Sequence, residues 1–515
     1  MTRPARLALC WLLPAVIFLA HARMWSHAVG IGIDDAYIGN RYARNLVESG
    51  DFNWNVGKER VEGYTALLWV LLMAIPPLTG IPMPPFFKTV GGVSALGLLA
   101  LLVLIEEAVQ KEEGGSARWP IKSALVASVS ANLALYAMSG IETAVFAMLV
   151  ALGAYFHLRA PARPLASAFA FSLAALTRPE GILLFGLTGL HRVLERSPIR
   201  ELVLRSVVFA SLVVPHHLFR RYYYGLWLPH SFYVKAGGYD RGAQWRAGWA
   251  QLRAFYTSQV APMSGATHWG AGGVLLLAMI SALVVHRHWT RAKVYFLLNV
   301  SVHALYLCSI GYDFMPKHRH QVMALPFLLG LAAMGIRGWA DLASRASPRL
   351  GSIACAAATA VVVAGTVDLD TGPIDHHEHA NLEPYDVRLE IGLYLAATTP
   401  SGAVIATGEC GKIPYFARRD VMDLSGINDL AIGKLRPYAE KKPAPLPLDE
   451  ILRRRPDVVL LPSFQMGLAR TRPEDPFKLS PVPTFKDPRF LDAYELREER
   501  IRDLYFYSYR LKPGR

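Results

Sequence analysis

The chain has 515 residues, 53% of them hydrophobic and only 18% charged. A soluble globular protein carries nearer ~25% charged residues, so the composition excludes a wholly soluble chain. The net charge of +14 lies largely in short loops between apolar spans, where the positive-inside rule puts it, and no nucleic-acid fold signature accompanies it, which excludes nucleic acid as a partner.

In chain order, the first apolar span runs from about Leu7 to Met24, after Arg3 and Arg6. Ala20-His-Ala22 also reads as a leader cleavage site, and either reading places residue 31 outside the cytoplasm. The loop 31–65 that follows is the most polar part of the first hundred residues. Residues 64–80 are apolar but end in Ile75-Pro76-Pro77. Counting them as a crossing inverts every later loop, so they are expected to be re-entrant or interfacial. Further spans are expected near 86–105, 121–138, 141–158, 164–177, 180–193, 201–219, 268–286, 291–310, 320–336 and 350–366. Loops carrying Lys111, Arg118 and Lys122, Arg159 and Arg163, Arg192 to Arg205, Arg287 to Lys293, and Arg337 to Arg349 are basic. The turns between them, Ser139-Gly140-Ile141-Glu142 and Thr177-Arg178-Pro179-Glu180-Gly181, are nearly neutral. Basic loops inside give about 11 crossings with the N-terminus cytoplasmic; the 31–65 loop, the 220–267 loop, the Gly311–His320 turn and the tail are then outside.

From 367 the composition reverts to that of a soluble domain. Ala403–Thr407, Asp420–Leu424 and Asp457–Leu461 read as buried strands, and Gly408 to Phe416 as a turn entering a helix. That alternation predicts a small α/β domain, with the Pro-rich run 442–447 as a loop within it. The fold class is thus a helical polytopic membrane protein, residues 1–366, with an extracytoplasmic α/β domain, residues 367–515. Cys10, Cys308 and Cys355 lie in apolar spans and Cys410 stands alone in the tail; no spacing suggests a metal or disulfide framework.

Four constellations could carry chemistry. Asp34 and Asp35 stand at the mouth of the first span, where charge near lipid is costly and so signals function or a partner. Adjacent helical residues point about 100° apart. One Asp can therefore cap a helix over Asp35–Glu48, ended by Gly50, with Asp34 as the N-cap, while the other serves as general base or metal ligand. The second is Asp313 with Lys317-His318-Arg319-His320: cations there suit a leaving phosphate, or a collar for lipid headgroups. The third is Arg221 to Lys235, whose aromatics suit a membrane interface or a sugar face, with His230 and Lys235 able to meet a phosphate. The fourth is His376-His377-Glu378-His379, which could bind a divalent ion or be a solvated linker. Glu142 and Arg178-Pro179-Glu180 are weaker candidates. No Walker, GxSxG or HExxH motif is present.

Asp34-Asp35-Ala-Tyr37…Arg41-Tyr42-Ala-Arg44, then Phe52-Asn-Trp54-Asn55…Glu59-Arg60-Val-Glu62-Gly63-Tyr64-Thr65…Trp69, resembles the first extracytoplasmic loop of GT-C glycosyltransferases, in particular the subgroup related to actinobacterial arabinofuranosyltransferases. Ser139-Gly140-Ile141-Glu142-Thr143, Thr177 to Gly181, Leu228-Pro229-His230-Ser231-Phe232-Tyr233-Val-Lys235 and Gly311-Tyr-Asp313-Phe-Met-Pro316 resemble it in the same order, to about residue 327 and weakly through 411–429. The resemblance implies a bacterial cytoplasmic-membrane hexosyl- or pentosyltransferase. It would move a sugar from a polyprenyl-phosphate donor to a glycan or glycolipid acceptor on the outer face, among membrane lipids. It carries the base onto Asp34 or Asp35, Asp34 slightly favoured. It carries the donor phosphate onto Arg319 and Lys317, with Lys235, His318 and His320. Substrate contacts fall on Arg41, Arg44, Glu62, Tyr64, His230, Tyr233 and Asp313. His230 stands where relatives more often have Asn, and Tyr312 interrupts a Gly-Asp pair; both departures touch the donor side. A divalent cation is possible in such enzymes, and no cofactor is implied with certainty. A transporter of lipid-linked sugars and a non-catalytic glycan-binding membrane protein are the alternatives. Catalysis needs one of the first-loop aspartates, and passive binding tolerates Asn at both.

Overall fold

The computed structural model describes residues 2–114, 119–159, 163–236, 240–257, 271–286, 288–311, 313, 315–367, 386–435, 447–460, 483–502 and 504–513. Contacts divide the chain into two compact units. The first comprises Met1–Val29, Pro84–Pro215 and Asp240–Gly372; the second comprises Gly30–Met83, His216–Tyr239 and Pro373–Arg515. The first polar loop and the segment around His230 thus group with the tail, a grouping that cuts across the linear division at residue 366.

Among the described residues six helices are long and apolar enough to cross a membrane: Arg3–Ala28, Met83–Glu112, Ile199–Tyr224, Arg291–Ile310, Pro316–Ser344 and Pro348–Thr366. The span expected over 121–138 is instead two helices, Lys122–Ser128 and Ala131–Met138, parted where Ser130 is extended. Ala131–Met138 and Thr143–Leu158 meet at a bend of 117°. Pro164–Thr177 and Glu180–Leu194 are shorter helices of 14 and 15 residues. Residues 64–80 contain two brief helices, Leu67–Leu72 and Ile75–Thr79, neither long enough to span alone.

The helix Arg319–Ser344 is the core of the first unit. It is buried almost without interruption from His320 to Gly338. It packs on Ala271–Val284, Pro348–Thr366, Thr143–Leu158 and Arg291–Ile310. A helix apolar on all sides is stable only when neighbours cover all its faces. Elsewhere in this unit, Arg3 pairs with Glu107 at 2.6 Å and Lys122 with Glu106 at 2.8 Å.

The second unit holds the helix Ala36–Ser49, ended by Gly50 at φ 71°. Its N-cap is Asp35, one residue later than expected, and no side chain caps it. Asp34 contributes its carbonyl instead, accepting from the Tyr37 N–H at 3.0 Å. A five-stranded sheet follows in the tail: β1 (Val404–Thr407), β2 (Asp420–Asp423), β3 (Val458–Leu460), β4 (Tyr494–Ile501) and β5 (Leu504–Leu511), in the order β2-β1-β3-β5-β4. β1 pairs in parallel with β2 and β3, while β5 runs antiparallel to β3 and β4. Side chains alternate between faces. Ile405 and Val458 join Val387, Ile391 and Phe506 on one face, and Ala406 and Val459 join Phe485, Phe490 and Tyr509 on the other. The edge strand β4 carries Glu495, Arg497, Glu498, Glu499 and Arg500, charges of the kind that keep a sheet edge from pairing with another chain.

Candidate active site

The loop between β1 and the helix Lys412–Ala417 shapes the surroundings of Asp34. Gly411 there has no room for a side chain: a Cβ would lie 2.1 Å from the Asp34 carbonyl oxygen and 2.4 Å from its carboxylate. This close approach lets the Lys412 N–H donate to Asp34 Oδ1 at 2.8 Å. Arg388 Nε stands 3.8 Å from the same oxygen and 2.8 Å from Glu409, and Lys412 Nζ pairs with Asp386 at 2.6 Å. Asp34 is therefore an oriented carboxylate beside cations, 14% exposed at its side chain. Asp35 is half-buried at the head of the next helix.

Other first-loop residues meet the tail through backbone. Arg41, 3% exposed, donates to the carbonyls of Trp54, Pro414 and Arg419 and to Asn55 Oδ1, all between 2.7 and 2.9 Å. Arg44 donates to the Tyr415 carbonyl at 2.6 Å and lies over that ring. Tyr42 Oη donates to Val61 O at 2.8 Å and accepts from the Gly63 N–H at 2.9 Å. A Cβ on Gly63 would sit 1.8 Å from Asn428 Oδ1, and Asn428 is held in turn by Asp423.

Glu62 forms a buried pair with Arg220 at 2.5 Å. Its carbonyl accepts from the His230 N–H at 2.9 Å. Burial pushes the Glu62 carboxyl up to about 6 against the pull of Arg220. Burial likewise lowers His230, against raising contributions from the carbonyls of Asp429 and Gly426. Tyr64 is buried with its hydroxyl 3.4 Å from that of Tyr224. Tyr233 and Lys235 are exposed. Thus Glu62, Tyr64 and His230 are brought together by the second unit, and Arg41 and Arg44 are built into its interior.

The residues expected to hold phosphate belong to the first unit. Asp313 Oδ2 lies 3.3 Å from Arg319 Nε and 3.1 Å from His320 Nε2. Gln251 clasps its backbone, donating to Asp313 O at 2.7 Å and accepting from its N–H at 3.0 Å. Burial raises the Asp313 carboxyl, but Arg319 and His320 outweigh it and hold the group well below its ordinary range. Lys317 and His318 both have positive φ, 52° and 53°, a costly conformation for residues with a Cβ. The Pro316 carbonyl in the same turn accepts from Tyr136 Oη at 2.5 Å. His320 faces the ring of Tyr306 at 6.3 Å, and Tyr306 Oη donates to Glu180 at 2.9 Å. Arg178 then joins Glu180, at 2.8 Å, to Glu142.

This last chain is what sequence reasoning undervalued. Glu142 and Glu180 were ranked low and Tyr306 was not singled out. The available signal was that both acidic turns join successive spans on the same expected side of the membrane. In this cluster each carboxylate already has a cation: Glu142 and Glu180 share Arg178, and Asp313 has Arg319 and His320. Among the described residues, no three ligand atoms converge in this cluster as a divalent cation would require. The histidine run 376–379 lies outside the described residues.

Comparison with known proteins adds to this geometry. A family described as a domain of unknown function, DUF8728, matches residues 376–508. The terminal β-(1→2)-arabinofuranosyltransferase of Corynebacterium glutamicum is 29% identical over 189 residues, 34% of this chain. The match spans only 27% of that relative's length. Among solved structures, ArnT from Cupriavidus metallidurans bound to undecaprenyl phosphate superposes with a TM-score of 0.57 at 14% identity, covering 96% of this chain and 97% of that one. The oligosaccharyltransferase AglB of Archaeoglobus fulgidus, in complex with an inhibitory peptide and a dolichol-phosphate, gives 0.53 at 9% identity, covering 98% and 74%.

Proposed function

The chain is a multi-pass membrane protein with the GT-C glycosyltransferase fold, and from that premise we propose that it transfers a sugar from a polyprenyl-phosphate donor to a glycan or lipid-linked acceptor. The reaction is placed at the outer face of a bacterial cytoplasmic membrane. The observation that carries this reading is the likeness, over nearly the whole of both chains, to a structure holding undecaprenyl phosphate. The arabinofuranosyltransferase match supports a sugar-transfer chemistry without naming the sugar.

A sugar hydroxyl is a weak nucleophile at neutral pH. A carboxylate must accept its proton as its oxygen bonds to the anomeric carbon, while the bond from that carbon to the phosphate oxygen breaks. In this reading Asp34 is the base: its Oδ1 is fixed by the Lys412 N–H at 2.8 Å, with Arg388 Nε 3.8 Å away. Asp35 is the second candidate. The departing polyprenyl phosphate gains negative charge, which Arg319 and Lys317 are suited to stabilise, with Asp313 holding Arg319 in place. Lys235, Tyr233 and His230 are assigned to substrate contact. Arg41 and Arg44 are assigned to anchoring the loop that carries Asp34, since their donors end on backbone carbonyls.

The test is transfer of labelled sugar from polyprenyl-phosphate donors by the purified full chain, with Asp34→Asn and Asp35→Asn alongside. A loss of ~100-fold or more in Asp34→Asn, with donor binding kept, is the expected result for removal of a general base. Wild-type rates in both variants would show the aspartates to be structural. Movement of carrier across a bilayer without transfer would favour a transporter.

A further inference from the structure

We propose that His157, His191 and Glu195 form a zinc site, at the opposite ends of the helices that begin at Glu142 and Glu180. His191 and Glu195 are four residues apart at the end of the helix Glu180–Leu194, so they share a face. His157 comes from the last turn of the neighbouring helix Thr143–Leu158. One ligand atom from each of the three lies within 4.8 Å of the other two. His157 Nε2 is 3.0 Å from His191 Nδ1, and Glu195 Oε2 is 3.7 Å from that same nitrogen. Both histidines are buried, His157 fully.

Outer contacts orient two of the three ligands, His191 and Glu195, as a metal would require. His191 Nε2 is 3.1 Å from the Arg291 carbonyl. A carbonyl only accepts, so the proton sits on Nε2 and the Nδ1 lone pair faces His157 and Glu195. Arg192 donates to Glu195 Oε2 at 2.7 Å, and Arg291 pairs with the other oxygen, which fixes the carboxylate. Without metal, His157 Nε2–H donates to His191 Nδ1. Metal binding moves that proton to His157 Nδ1 and leaves both imidazoles neutral.

Two imidazoles and one carboxylate form a zinc donor set. The surrounding charge sharpens the choice. Glu195 and Glu201 are matched by Arg192 and Arg291, and Arg205, 1% exposed, adds a further positive charge close enough to act on His157. That charge opposes any divalent ion, so the donors decide: magnesium and calcium need several oxygen ligands and find one carboxylate in this set. A transition ion that forms bonds to two nitrogens can still bind.

The experiment uses the full chain in detergent, carrying His376→Ala, His377→Ala and His379→Ala so that the tail's own histidine run cannot contribute. The protein is stripped with chelator, exposed to zinc chloride, desalted and assayed for metal by mass spectrometry, with thermal unfolding in parallel. One zinc per chain, a raised Tm, and no effect of magnesium or calcium are expected. His157→Gln, His191→Gln and Glu195→Gln should each weaken binding more than ~10-fold, the least that even a change outside the ligand set costs. Glu195→Gln, a near-isosteric change, serves if the histidine variants do not fold. No retained zinc, or undiminished zinc in the variants, would overturn the site. Neither readout depends on sugar transfer.

Discussion

Three helices, Thr143–Leu158, Glu180–Leu194 and Arg291–Ile310, each run between two polar clusters, and the clusters are built on different principles. At one end Glu142 and Glu180 gather on Arg178 and Tyr306 donates to Glu180, next to His320 and Asp313. At the other end, about 22 Å along a helix of this length, neutral groups are packed together. His157 bonds His191 at 3.0 Å and stacks near Tyr295, whose hydroxyl lies 2.9 Å from Thr188. Both ends are buried. In the first, ionised groups are compensated by one another; in the second, ionised side chains surround a neutral centre. Removing one member of a buried ion set leaves the others uncompensated, whereas losing a neutral hydrogen bond costs far less. The difference suits the proposed roles: a departing phosphate needs positive charge held rigidly in advance, while a metal needs lone pairs.

The largest effect should come from Arg178→Gln. It leaves Glu142 and Glu180 buried side by side without their cation, and about 3–5 kcal/mol of stability should be lost. Unfolding in detergent measures this. Adding Glu142→Gln to the same chain should return part of the loss, because one uncompensated charge is then gone. Equal stability of the double and single variants would show that the pairing is not what holds this end together.

Titration gives a comparison of opposite signs. Asp313 is held well below its ordinary value, so its stabilising contribution is complete above ~4 and is lost progressively as pH falls below ~4 toward the depressed value. Asp313→Asn should remove this acid-sensitive component. Glu62, in the second unit, goes the other way, being raised from 4.5 to about 6. The folded state then holds the proton more tightly, and stability falls as pH rises from about 4.5 to about 6, by about 2 kcal/mol. Glu62→Gln should flatten that slope. Above about pH 6, where Glu62 is ionised, it should also lower Tm, because Arg220 loses its charged partner.

Much of this could be read in advance where local pattern and environment agree. The helix ended by Gly50, the long apolar helices, and the strands at Val404, Asp420 and Val458 follow from periodicity and turn chemistry. The periodicity of the first-loop helix carries no sign that its polar residues are buried. Yet Asn40, Arg41, Arg44 and Asn45 are buried, and for Arg41 and Arg44 the reason is that the tail supplies carbonyls some 370 residues away that no local pattern reveals. β4 was not foreseen, since Leu-Arg-Glu-Glu-Arg-Ile lacks a polar–apolar alternation and owes its strand to the pairing with β5. The His157–His191 contact joins two spans whose sequences read only as apolar runs with basic ends. Asp34 was legible as an unusual charge, but its hold on Lys412 was not.

The finest comparison uses one helix and one atom. Tyr306 and Tyr295 both lie on Arg291–Ile310, and each buries a hydroxyl in one of the two clusters. Replacing either by Phe removes an oxygen and little else. Tyr306 donates to an ionised Glu180, a bond of the charge-assisted class, so Tyr306→Phe should cost about 1.5–3 kcal/mol. Tyr295 bonds a neutral threonine hydroxyl that also donates to the Leu184 carbonyl at 2.8 Å, so Tyr295→Phe should cost about 0.5–1.5 kcal/mol. The order is the informative quantity, because the two variants share a helix, a reference state and a chemical change. Were Tyr295→Phe the more damaging, the neutral end would depend on its hydroxyl more than hydrogen bonding alone explains. Repeating the pair with and without zinc would then show whether the ring at His157 and His191 is part of the metal's surroundings.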